Sequence, residues 1–185
     1  MIASADGEGT RSIRDRAVLA LGLAAALRRS ELVGLELRDV EFVPDGLRLT
    51  IRHSKTDQEG DGQVIAVPAG KLLRPVARLQ AWLAVRGSGA GPLFTQIDPR
   101  GRMTDKPMSD RSVARLIQKY AGRVGLDPGT VAGHSLRAGF LTEASRTGAT
   151  IAKMQEVSRH KKVDVLLGYV RSAELFDDHA GVGFL

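Results

Sequence analysis

His134 and Arg137 stand three residues apart in this 185-residue chain, a spacing that puts both side chains on one face of a helix. Gly133 breaks the chain just before them, so both fall in the first turn of the helix that follows. Backbone N–H groups and the positive end of the helix dipole gather there, and a phosphate sits naturally on such a spot. The same stretch closes on S-R-H-K-K-V-D-V-L-L-G-Y-V-R, which supplies a second imidazole, His160, and a phenol, Tyr169, nine residues beyond it. A guanidinium, an imidazole and a helix start form an anion clamp. A phenol brought into that clamp would be a nucleophile facing phosphorus, once a base has taken a proton that ordinarily leaves near pH 10.

Two further cations stand upstream: Arg28 in A-L-R-R-S-E-L and Lys55 in H-S-K-T-D. Arg28, Lys55, His134, Arg137, His160 and Tyr169, in that order, resemble the tyrosine recombinase (phage integrase) family. Its signature is an early Arg, a Lys on a β-hairpin, a His-x-x-Arg pair, a later His or Trp, and a nucleophilic Tyr. The late segment looks particularly like the Cre branch. A lone H-x-x-R means little, but an ordered set across most of a chain is a strong signal.

The resemblance implies a division of labour. Tyr169 attacks the scissile phosphate, leaving a 3′-phosphotyrosyl link and a free 5′ hydroxyl. His134 takes the phenol's proton, and Lys55 is the general acid toward the leaving 5′ oxygen. Arg28, Arg137 and His160 hold the non-bridging oxygens, and Glu31 helps hold the site together. Two arginines then stand where Mg²⁺ stands in other phosphoryl-transfer sites, so no metal and no cofactor is expected. The chain departs from the family at Arg29, where an apolar residue is usual, and at Arg159 and Lys161, where most members carry Gly and Ser. Taken singly, Arg28 reads as a solvated helix-end charge, Lys55 as a solvated hairpin lysine and His160 as a surface His in a basic loop. Tyr169 alone reads as a half-buried amphipathic Tyr. Tyr120 is the one competing phenol, and it precedes the His-x-x-Arg pair.

Composition agrees with a polyanionic partner. Lys+Arg number 27 against 21 Asp+Glu, a net charge of +6, and such an excess suits double-stranded DNA without requiring it. Aromatics at 4% make a poor stacking platform for single strands. Cysteine is absent, which excludes disulfides, Cys-based zinc sites and thiol catalysis. The length suits one domain. No apolar run is long enough to span a bilayer. The first ten residues lack the layout of a signal peptide and read as a flexible lead-in, so a cytoplasmic location is expected.

The elements that must position these residues read as α+β, mainly α: a helical catalytic domain over 11–185 with a small three-stranded antiparallel sheet. An amphipathic helix over 11–27 carries Ile13, Ala17, Val18, Leu21, Ala24 and Ala25, and Ser30 caps a short second helix reaching Leu37. Strands follow at Val40 to Val43, Leu47 to Ile51 and Val64 to Val67, the first pair joined by Pro44-Asp45-Gly46 and the second by a polar, mobile connection holding Lys55. A helix from Lys71 to Val85 buries Trp82. Residues 87–107 read as a long irregular loop, and a helix from Ser109 to about Val124 follows. After the Asp127-Pro128-Gly129 turn come the His134 helix to Gly148, a helix capped by Thr150, a helix from Val163 carrying Tyr169, and a short closing helix over 173–181.

The resemblance further implies a homo-oligomer, a tetramer on DNA, joined through a C-terminal segment in which Leu175, Phe176, Phe184 and Leu185 are apolar. The N-terminal core-binding domain typical of the family is expected to be missing from these residues. Two other readings compete. Ala144, Gly148 and Met154 have helix-turn-helix spacing, which would make 150–158 the recognition helix of a non-catalytic DNA binder. A truncated, inactive integrase is the other.

Overall fold

The computed structural model describes residues 2, 4, 5, 7–52, 62–131 and 134–173. Its spine is α1 (Thr10–Ala24), in which Ala17, Val18, Leu19, Ala20 and Leu21 are all fully buried. A helix apolar on every side of its middle belongs inside a domain. After α1 come α2 (Arg29–Gly34), a 3-10 turn (Leu37–Asp39), and strands β1 (Val40–Val43), β2 (Gly46–Ile51) and β3 (Gln63–Pro68). The chain continues through α3 (Pro75–Arg86), β4 (Thr95–Ile97), β5 (Met103–Pro107), α4 (Asp110–Gly122), α5 (Ser135–Arg146), α6 (Ile151–Ser158) and α7 (Val163–Ala173). The fold is α+β and mainly α. Helices α3, α4 and α5 all lie against α1.

The first three strands form one antiparallel sheet in the order β1-β2-β3, with Val40 opposite Leu49 and Leu49 opposite Ile65. Leu47, Leu49, Ile51, Ile65 and Val67 are buried while Arg48, Val64 and Ala66 are exposed, the alternation of a sheet with one face on the core. Gly46 is required at the turn into β2, because any Cβ there would collide with the carbonyl of Val67. Trp82 is fully buried, donates its indole N–H to the Leu93 carbonyl at 2.8 Å, and stacks near Phe94. A second small cluster, Leu141, Met154 and Leu166, joins α5, α6 and α7, with Tyr169 packed beside it.

Three expectations need correction. The third helix begins at Pro75 rather than Lys71. Proline disfavours the helical region for the residue before it and suits the first helical turn itself, so Arg74 lies outside with φ of 48° and Leu72 is 94% exposed. The second helix begins at Arg29, with Arg28 rather than Ser30 at its N-cap, because the Glu31 carboxylate accepts the Arg28 backbone N–H at 2.8 Å. Residues 87–107 are not all irregular: β4 and β5 pair as a second antiparallel ribbon. Its turn is tied by Asp98, which accepts the Arg102 backbone N–H and side chain at 2.9 Å each, with Gly101 at φ of 82°. Short strands with a polar, exposed pattern carry little alternation, so only the turn chemistry was visible beforehand.

Where the lead-in is described, Ala5 is buried and the Ser4 carbonyl accepts Arg123 Nη1 at 2.8 Å. Lys55 and most of its connection, Gly133, and the closing segment with Leu175, Phe176, Phe184 and Leu185 lie outside the described residues. Among the described residues, no helix is long and apolar enough to cross a membrane.

The spine sets the stability of everything mounted on it. Leu19→Ala, at a fully buried position, is expected to cost about 2–5 kcal/mol, read as a lowered midpoint in urea unfolding.

Candidate active site

The junction between α1 and α2 is the floor of the site. The chain turns there through Ala26 at φ of 47°, which frees the carbonyls of Ala25 and Ala26 from the helix ladder. Arg28 follows at the N-cap of α2, and Glu31 stands three residues on, its side chain fully buried. One oxygen of Glu31 takes Arg28 Nη1 at 2.6 Å; the other takes the Arg28 backbone N–H and Arg159 Nη2, the latter at 2.6 Å. Burial pushes this carboxyl up, but Arg159 and Arg28 outweigh it and hold the group below the usual carboxylate range. Arg28, not Arg29, is therefore the arginine of the pair engaged with Glu31.

Helix α5 brings Arg137 to the same junction. Gly22 of α1 makes the approach possible: a Cβ there would stand 2.7 Å from Leu136 Cδ1, one residue before Arg137. Arg137 is 4% exposed, donates through Nη1 to the Ala26 carbonyl at 3.0 Å, and places Nη2 3.4 Å from His160 Nδ1. Burial, then the charges of Arg28 and Arg159, bring its pKa down to about 10, still a cation at neutral pH. His134 is the N-cap of α5, exposed, with no side-chain capping bond.

His160 enters from the loop between α6 and α7. Its Nδ1 lies 2.9 Å from Ser158 Oγ as well as near Arg137, while Gln155 Nε2 donates to its backbone carbonyl at 3.0 Å. A guanidinium can only donate, so Nδ1 is the acceptor and Nε2 carries the hydrogen of the neutral ring. Burial, followed by Arg137, Arg28 and Arg159, drives the His160 pKa down to about 4. The ring is thus a neutral N–H donor at physiological pH, not a fourth cation.

Tyr169 is half-buried on α7, which lies against α5, and its phenol falls within the electrostatic reach of Arg137. Tyr120 contrasts with it. That phenol is sealed in the core, donates to Asp15 at 3.1 Å, and is pushed up to about 12 by burial and by Asp15, so it has neither access nor an easy proton to lose.

The structure thus gathers Arg28, Glu31, Arg137 and His160 at one place, with Tyr169 within the electrostatic reach of Arg137 and His134 exposed at the start of the helix that carries Arg137; Lys55 lies outside the described residues. The residue missed by sequence reasoning is Arg159. It entered the sequence analysis only as a departure from the family's pattern, yet it is 7% exposed and bound to Glu31. Its one sequence signal was an arginine standing where glycine is usual. Among the described residues, two guanidiniums (Arg28 and Arg159) bond the carboxylate of Glu31, a third, Arg137, lies within its electrostatic reach, and the surplus is positive. Such a cluster is a seat for an anion that brings its own oxygens.

The family described as the phage integrase family matches residues 1–175. This chain belongs to that family. An integrase/recombinase XerD homolog of Selenomonas ruminantium is 37% identical over 177 residues, covering 95% of this chain and 52% of that protein. Tyrosine recombinase XerA of Pyrococcus horikoshii is 30% identical over 160 residues, covering 86% of this integrase-family chain and 51% of its own length. The chain therefore spans about half the length of the curated relatives it matches. Among solved structures, XerH recombinase in a post-cleavage complex with its difH substrate superposes with a TM-score of 0.75 at 16% identity, covering 94% of this chain and 47% of that one. A crystal structure of XerA recombinase gives a TM-score of 0.69 at 21% identity, covering 91% and 56%. These two likenesses speak for the fold.

The depressed imidazole gives a direct check. An NMR titration is expected to find the His160 midpoint near 4, and Arg137→Met is expected to raise it toward the ordinary 6.5. The unfolded ring takes its proton near 6.5 and the folded ring only near 4. Between those values the unfolded state binds more protons, so His160 makes the fold less stable as pH falls through that window.

Proposed function

We propose that this chain is the catalytic domain of a site-specific DNA recombinase that cuts and rejoins strands by two transesterifications. Tyr169 Oη attacks the scissile phosphorus, the bond from phosphorus to the 5′ oxygen breaks, and a 3′-phosphotyrosyl ester forms. The phenol's proton passes to His134 and the leaving 5′ oxygen takes one from Lys55. The second step reverses these transfers with a new 5′ hydroxyl as nucleophile. One ester replaces another at each step, so the phosphodiester is conserved without an external energy source.

The observation that carries this reading is the pairing of buried cations with a neutral imidazole. Arg28 and Arg137 would hold the non-bridging oxygens through forked N–H donors, and His160 Nε2–H would add a third contact. Donors already in place, with little water around them, stabilise the charge that develops on those oxygens without having to reorganise. A neutral His160 suits this role: it donates a hydrogen bond without adding further repulsion to a crowded set of arginines. Tyr169 on α7 beside Arg137 would present the nucleophile from the other side of the same phosphate.

Double-stranded DNA is the proposed substrate, and a homo-oligomer, a tetramer on DNA, the proposed working assembly. The finer likeness to the Cre branch rests on the residues of the late segment; the relatives described above carry Xer names. The relatives' additional length also makes weak DNA affinity the expectation for this domain by itself, because about half of the phosphate contacts would be missing.

The test is covalent capture on a pool of nicked duplexes with randomised arms, where the nick lets the short fragment bearing the free 5′ hydroxyl diffuse away and traps the ester. The chain should give an adduct that survives boiling in SDS. Tyr169→Phe should give none, Tyr120→Phe should still give it, and Arg28→Ala or Arg137→Ala should slow its formation by about a hundredfold or more. Duplex shifted in a salt-reversible way with no adduct, and unaffected by Tyr169→Phe, would instead favour a DNA binder without catalysis.

A further inference from the structure

Arg159 is held more tightly than a loop arginine has reason to be. Its side chain is 3% exposed, and it donates Nη2 to Glu31 at 2.6 Å, Nη1 to the Val157 carbonyl at 2.7 Å and Nη1 to the Ala25 carbonyl at 3.3 Å. Those partners belong to two separate parts of the chain, the end of α6 and the junction of α1 with α2. Its backbone has φ of 56°, a conformation that glycine enters far more readily. What the backbone gives up there, the three side-chain bonds offset.

The geometry points to Arg159 as a positioning residue that, through Glu31, sets the guanidinium of Arg28 against the imidazole of His160. This inference rests on the recombinase reading above and adds a residue to it. The linkage runs through the carboxylate. Glu31 has one oxygen on Arg28 Nη1 and shares the other between the Arg28 backbone and Arg159. Arg159 is covalently next to His160, so the loop that delivers the imidazole is pinned to the carboxylate that orients Arg28. Arg137 adds a parallel tie from α5, bonding the Ala26 carbonyl beside the Ala25 carbonyl used by Arg159. A phosphate reaching this place would meet groups whose mutual spacing is already set, and a shift of about 1 Å in such a set commonly costs around a hundredfold in rate.

Without Arg159, Glu31 would face a different balance. The groups around it are Arg28 from its own junction, Arg137 from α5, Arg159 from the α6–α7 loop, and Glu36, Arg38, Asp39 and Arg52 across a cleft on its other side. The last four are paired among themselves, Arg38 with Glu36 and Arg52 with Asp39. Burial raises the Glu31 carboxyl and Arg159 is the largest influence lowering it. Loss of Arg159 therefore moves Glu31 upward, so that protonation would release Arg28 at a higher pH than in the parental chain.

Arg159→Met keeps most of the stem's volume and removes the charge, and Arg159→Gln takes its place should the Met variant not fold. On a duplex recovered from the covalent capture, the single-turnover rate of adduct formation should fall about a hundredfold at neutral pH, with the Kd for the duplex unchanged. The acidic limb of that rate should move to higher pH. Arg159→Lys should restore part of the rate and return the limb toward its parental place, and Arg159→Met should cost nothing further in a Glu31→Gln background. In the chain without DNA, the Arg28 Nε–H and His160 ring NMR signals should both shift in Arg159→Met. Parental rates in the neutral variant, a Lys variant no better than Met, additive losses with Glu31→Gln, or unmoved Arg28 and His160 signals would each overturn the proposal. If the parental chain forms no adduct with any duplex in the pool, the recombinase reading falls, while the NMR comparison still decides the role of Arg159.

Discussion

A carboxylate with no exposed surface must be matched by charge where it stands, and at Glu31 that requirement organises the site. An isolated buried carboxylate would take up a proton rather than remain an anion. Glu31 stays charged because guanidiniums from two distant stretches converge on it, Arg28 from its own junction and Arg159 from more than a hundred residues later. The pair therefore closes the fold and shapes the site in one contact. Removing Glu31 would leave the Arg159 guanidinium buried without its carboxylate, a loss that typically costs about 3–5 kcal/mol.

The same crowding dictates the chemistry that each neighbour has available. Arg137 keeps its charge, though at a pKa brought down to about 10, while His160, easier to discharge, gives its charge up. Guanidinium and imidazole respond differently to one environment because their ordinary values lie about six units apart. The site consequently holds strong cations beside a neutral donor, rather than a uniform patch of positive charge.

The scaffold serves this arrangement at two levels. Helix α1 is buried along its middle and gives α3, α4 and α5 a common surface, with Gly22 admitting Leu136 so that Arg137 reaches the junction carbonyls. The smaller cluster of Leu141, Met154 and Leu166 then fixes α6 and α7, the elements that flank His160 and carry Tyr169, to α5. Buried polar side chains within the scaffold follow the same rule as Glu31. Asp15 of α1 is paired with Arg14 and accepts the phenol of Tyr120, and that bond keeps the chain's other tyrosine out of chemistry.

Much of this was legible in the residues. Periodicity and turn chemistry placed α1, the three-stranded sheet, α4, α5, α6 and α7 close to their observed bounds, because those elements carry long apolar stripes or strong caps such as Ser109 and Thr150. The weakly patterned β4 and β5 and the start of α3 were misread, since a short polar strand has no alternation and the effect of Pro75 outweighed the apolar run before it. The order and types of Arg28, Glu31, His134, Arg137, His160 and Tyr169 were also present in the sequence, and with them the family.

Tertiary structure alone decided which charges are buried and against what. Arg159 stood out only as an arginine where glycine is usual, and nothing in its neighbours revealed that it would meet Glu31. The neutral state of His160 could not be read from its type, because it depends on burial and on Arg137, Arg28 and Arg159 arriving from other elements. Sequence specifies residue types and local geometry, which follow from neighbours along the chain. Ionisation and pairing follow from neighbours in space, and those exist only once the chain has closed.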